Sequence, residues 1–210
     1  MSSSTSQIQT TTRARFAGAR IVYTAIAVFG AMCALLYLQG ALVQGSAEEG
    51  ARLAIRATAR TTAALFVVIF CASGVRRRWP GPATGWLMRN RRHLGLSAAV
   101  SHAYHLAFIL ALYAIGTAEQ TPAAVVAGGS FGFLMLFLMA ATSNDASQRR
   151  LRRNWRRLHL LGMWTLWIIF AFSYFPRAPS GVIGALASVA LVVSLLLRVW
   201  PVAKPGTKTA

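Results

Sequence analysis

The chain has four histidines, His93, His102, His105 and His159. Its chemistry is to be sought there. His102 and His105 fall within RRHLGLSAAVSHAYH (91–105), a run headed for the inside of a membrane. An ionisable side chain in a spanning helix is expensive, which makes it a functional-site candidate by default. Three residues apart, the two imidazoles share one helix face. A neutral imidazole nitrogen is a common ligand of metal ions and of haem iron. The plainer reading is a histidine pair hydrogen-bonded inside a bundle, and His159 on another helix adds a third candidate. No GxGxxG, P-loop or HExxH pattern is present, and no nucleophile stands beside a base. With only four acidic residues, two-carboxylate chemistry is out of reach. A bundle that only has to hold a cofactor suits redox work better than hydrolysis.

A second constellation is Arg52, Arg56 and Arg60, which recur every four residues along one helical stripe. They read either as a solvated face projecting beyond the lipid or as an anion site for haem propionates or an acidic partner, since guanidinium pairs well with carboxylate. Ser46 and Glu49 just before them form an S-x-x-E capping box and predict a helix start. Cys33 and Cys71 stand singly, without CxxC spacing, as small packing residues.

The elements that must position these residues are membrane helices. Of 210 residues 56% are hydrophobic, and mean hydropathy is +0.52, so the class is an integral membrane domain. The expected fold is all-α, with six spans at about 21–43, 59–75, 94–115, 123–142, 158–175 and 180–200, judged against the roughly 20 residues that cross about 30 Å of hydrocarbon. A polar tail over 1–19 is expected to be disordered, the transmembrane domain to cover 20–201, and 202–210 to form a C-terminal tail. The first apolar run is too long for a cleaved signal and reads as a retained anchor. Gly128 and Gly132 in the fourth span suit close helix packing, in the bundle or at a dimer face.

A net charge of +18 could suggest nucleic acid, but the arginines sit in short runs between apolar segments. Residues 76–93 and 143–157 carry six each. With Arg13, Arg15, Arg20, Arg198, Lys204 and Lys208 they put eighteen of the twenty-two basic residues on one side. Glu48, Glu49 and Glu119 fall on the other. The positive-inside rule then places both termini in the cytoplasm of a multi-pass protein of the cell (inner) membrane. The lipid bilayer is its expected surrounding; nucleic acid is not expected as a partner.

Three motifs in order along the chain carry a resemblance. In RRHLGLSAAVSHAYH a histidine follows Gly95 by ten residues. ATARTTAALFVVIF (57–70) is similar to a T-G-R-x-A-L second helix, with Ala59 where glycine is usual. ATSNDASQRRLRRNWRRLH (141–159) is similar to a T-S-x-x-A-x-x-x-L-x-x-x-W-x-x-L-H entry into the fifth span. Together they resemble ferric-reductase-like transmembrane domains, above all the MsrQ-like members, over about residues 57–175. The resemblance implies a six-helix bundle carrying b-type haem and passing electrons across the membrane, with His105 as the third-span ligand and His159 as the first ligand of the fifth. The family's second fifth-span histidine falls where this chain has Phe172, and phenylalanine cannot ligate iron.

Depth bears on the ligand set. His105 lies thirteen residues beyond Arg92, roughly 20 Å along a helix, whereas His159 lies two beyond Arg157, about 3 Å. His102 narrows that gap, and His93 points away from the His105 face. Met163, one turn from His159, is a weak alternative ligand or a core residue. The expectation is therefore one haem b held by His105, with His102 and His159 as alternative or partner ligands and Arg56 and Arg60 as anion contacts. Such a membrane oxidoreductase subunit would relay electrons from a separate donor (a quinol or reduced flavin) to an acceptor across the membrane. The competing expectation is a haem-free relative serving as a membrane scaffold or assembly subunit.

Overall fold

The computed structural model describes residues 2–115 and 121–201, with side chains from Gly18 onward. Among the described residues the chain is helical, without strands: α1 (Ser2–Leu38), α2 (Ala47–Arg78), α3 (Pro82–Ala114), α4 (Ala123–Ala141), α5 (Asp145–Leu151), α6 (Arg153–Tyr174) and α7 (Val182–Val199). A π-helical turn over Gln39–Val43 prolongs α1, and a 3-10 turn over Phe175–Ser180 prolongs α6. Six helices are long and apolar enough to cross a membrane, at Gly18–Val43, Ala47–Arg78, Pro82–Ala114, Ala123–Ala141, Arg153–Ser180 and Val182–Val199. Each matches one expected span. In a bilayer this is a multi-pass helical membrane protein, because a helix satisfies its own backbone where no water can.

Local chemistry sets the helix ends. Ser46 caps α2 as its sequence predicts, its hydroxyl accepting from the Glu49 N–H at 3.3 Å. Pro82 opens α3 in the first turn, where a missing N–H costs nothing. Asn144 caps α5 through Ser147 N–H at 2.8 Å. Arg152, at φ 46, breaks the chain between α5 and α6. The first three helices run longer than the expected spans. The run from Ser2 is assigned to α1, with no proline or glycine before Gly18 to interrupt a helix that is cheap to extend once nucleated. The second and third spans are the C-terminal parts of helices 32 and 33 residues long, so both helices run on well past the length that crosses the hydrocarbon. The tail 202–210 and Glu119 lie outside the described residues.

The two ends of the bundle differ in charge. At one end Arg77 donates to the Arg198 carbonyl at 3.1 Å, Arg78 reaches the Leu197 and Trp200 carbonyls, each at 3.1 Å, and Arg92 pairs with Asp145 at 2.6 Å. At the other end Glu48 and Glu49 hold Arg52 and Arg56. The core lies between α2, α4, α6 and α7 and is built on Phe66, Phe70, Leu136, Leu166, Phe170 and Leu191. Helices approach most closely at glycines. A Cβ at Gly74 would fall 1.8 Å from the Leu197 carbonyl oxygen of α7. Gly132 packs on Ile169 and Leu166 of α6, whereas Gly128 has nothing within 4 Å.

Candidate functional site

Helix α3 lies against α2 along a seam of small hydroxyl residues. Thr58, Thr62 and Ser101 are fully or almost fully buried. The Thr62 hydroxyl donates to Ser101 Oγ at 3.0 Å, and the Ser101 hydroxyl to the Thr58 carbonyl at 3.2 Å. Such cross-helix bonds replace the water that hydrocarbon cannot supply. The seam carries the histidines. His105 Nδ1 lies 3.0 Å from the Ile55 carbonyl oxygen and 3.2 Å from Thr58 Oγ1. A carbonyl only accepts, so Nδ1 carries the proton and Nε2 keeps its lone pair. Metal-ligating histidines are commonly oriented in this way, through a carbonyl on the other nitrogen.

His102 stacks on His105 with ring centroids 5.0 Å apart and planes at 14°. Phe133 of α4 covers both, 4.4 Å from His102 and 6.1 Å from His105. His102 Nδ1 is buried and has no hydrogen-bond partner, a costly state for a polar atom in an apolar setting.

A cavity of about 780 Å³ opens beside this pair. Along α3 its wall runs from Met88 to His102, about 21 Å of helix. Its deep walls are apolar (Phe66, Leu136, Leu166, Phe170), and its shallow part is arginine-rich, with Arg91, Arg157 and Arg198 among the lining residues. His102 lines the deep part and His159 the shallow part; His105 does not line it. His159 Nε2 lies 3.2 Å from Thr142 Oγ1, and its ring stacks on Trp155 at 4.1 Å. The Thr142 hydroxyl donates to the Leu138 carbonyl at 2.7 Å, which leaves its oxygen to accept from His159.

The register of α4 gives the depth difference. His102 is level with Phe133 and His159 with Thr142, nine residues further along α4, or about 13 Å. One iron cannot take both as axial ligands at bonding distances of about 2 Å. His93 faces α1, its ring filling the space a Gly18 side chain would need. It therefore packs between helices.

The position that the resemblance gives the second fifth-span ligand does not face the cavity: Phe172 is 79% exposed on the outer surface of α6, while Phe170 turns inward at 8% and lines the cavity. Two residues on a helix differ by about 200°, so a motif count that ends on Phe172 lands on the lipid side. Arg56 and Arg60 do not line the cavity either. Arg56 is engaged with Glu49, and Arg60 is exposed. Arg91 and Arg198 are the arginines sequence reasoning missed. The spacing carried a signal, because Met88, Arg91, Gly95, Ala98 and His102 recur at three and four residues on one stripe of α3.

Two features of the cavity bear on whether a haem-sized group could be held here. Its volume lies within the roughly 300–1,000 Å³ of small-molecule sites. It offers the His102 imidazole at its apolar end and guanidinium groups at the other. Among the described residues no cluster of three His, Cys, Asp or Glu side chains could hold a bare metal ion. No family model matches the chain, and no solved structure matches it.

Proposed function

We propose that this protein is a ferric-reductase-like membrane electron carrier that binds one b-type haem. It would sit in the inner membrane with both termini in the cytoplasm and pass electrons from a quinol or reduced flavin to an acceptor across the membrane. The carrying observation is the cavity that joins the His102 imidazole to an arginine-lined mouth. When bound, haem b supplies a one-electron couple that the polypeptide lacks. The residues do the rest. His102 would hold the group through its imidazole, with His105, held by the Ile55 carbonyl, stacked behind it. Phe66, Leu166 and Phe170 exclude water, and arginines at the mouth meet the carboxylates. The resemblance names His105 as ligand, whereas the cavity favours its neighbour one turn away.

Alanine variants decide between the two. Haem retained after purification should fall to a small fraction in His102→Ala, fall less in His105→Ala, and stay unchanged in His93→Ala. A loss confined to His105→Ala would move the iron to that residue. Full retention in both α3 variants would remove the proposal and leave the scaffold reading.

A further inference from the structure

Arg91 and Arg198 are two of the seven arginines that line the cavity, and they lie within electrostatic reach of each other and, for Arg91, of His159 and Cys71. Arg198 is clamped from one side. Its guanidinium sits 4.3 Å over the Phe70 ring and 5.7 Å from the Trp164 ring, and one N–H donates to the Phe70 carbonyl at 2.9 Å. Arg91 makes no hydrogen bond to any described residue. Neither has a carboxylate partner among the described residues: Glu48 and Glu49 are at the other end of α2, and Asp145 pairs with Arg92.

Two like charges turned toward one partly buried space repel each other and resist desolvation. An arrangement of this kind is stable when an anion joins them, and guanidinium binds carboxylate or phosphate through paired, charge-assisted hydrogen bonds. The walls beyond, toward His102, are apolar. We infer that Arg91 and Arg198 form an internal anion site that holds the oxyanion head of an amphiphile whose apolar body fills the deep cavity. The shared chemistry is a carboxylate or phosphate on a hydrophobic body, which a haem or an acidic phospholipid can each supply. The inference therefore stands apart from the haem reading.

The test uses the full-length protein in nanodiscs of equimolar phosphatidylglycerol and phosphatidylcholine, with retained lipid read by native mass spectrometry and retained haem by absorbance. Arg91→Gln removes a side chain with no protein hydrogen bond, so the fold is expected to hold. Arg198→Lys keeps the charge but loses the fork, and Arg150→Gln, away from the cavity, controls for net charge. Retained phosphatidylglycerol or haem should drop roughly tenfold or more in Arg91→Gln, the scale of losing a charged hydrogen-bond partner, and stay level in Arg150→Gln. A colourless wild type that still selects phosphatidylglycerol through Arg91 keeps the anion site and ends the haem reading. A haem-loaded protein indifferent to both substitutions keeps the haem reading and overturns the anion site. Equal retention of both lipids and no dependence on Arg91 overturns it as well.

Discussion

His102 and His105 show how three residues of spacing separate two environments. His105 turns its Nδ1 proton onto the Ile55 carbonyl of α2, while His102 leaves Nδ1 without a partner and lines the cavity. The same logic separates Phe170 from Phe172 on α6. If a haem lies against His102, Phe170→His should bring a second imidazole into its cavity and shift the reduced spectrum toward a low-spin, bis-histidine form. Phe172→His should leave the spectrum as it is, because that side chain points to lipid. A spin-state change in Phe172→His alone would mean that α6 is rotated from the orientation described. The histidines were legible in the sequence as candidates, since charge inside an apolar run stands out. Their ranking was not, because it depends on which carbonyl of a neighbouring helix each ring meets.

At the scale of the helices, close approach decides stability. Gly74 of α2 leaves no room for a Cβ against the Leu197 carbonyl, whereas Gly128 of α4 faces open space. Gly74→Ala should therefore cost about 1–3 kcal/mol through overpacking, read as a lower thermal midpoint in detergent. Gly128→Ala should leave that midpoint unchanged. A large loss in Gly128→Ala would put a second copy on that face. The glycine pair 128/132 was readable as a packing motif, yet only Gly132 meets α6. A four-residue spacing gives a helix a small-residue face but does not say how much of it a neighbour covers. Span positions were the most legible feature, because hydropathy integrates over about twenty residues. The helix ends were less so: α3 runs on through Arg89–Arg92 to Pro82, since arginine propagates a helix well.

The whole molecule separates its charges along its length, with the arginine runs gathered at one end and Glu48 and Glu49 at the other. By the positive-inside rule that asymmetry would set its direction in the membrane. Reporter fusions at Arg150 should signal from the cytoplasm, and fusions in the α3–α4 connection at Glu119 from the opposite side. The reverse pattern would turn the cavity mouth away from a cytoplasmic donor and undo the proposed direction of electron flow. The cavity itself was invisible in the sequence. It arises where α2, α3, α4, α6 and α7 contribute side chains that lie far apart along the chain, and no local motif encodes such a space.

The most direct measurement is the visible spectrum of the wild-type protein, purified from a haem-sufficient host in mild detergent and then reduced with dithionite. The account predicts a Soret band and, on reduction, α and β bands, with about one b-type haem per chain. A folded, monodisperse protein that is colourless, and stays colourless after incubation with haem, would contradict it.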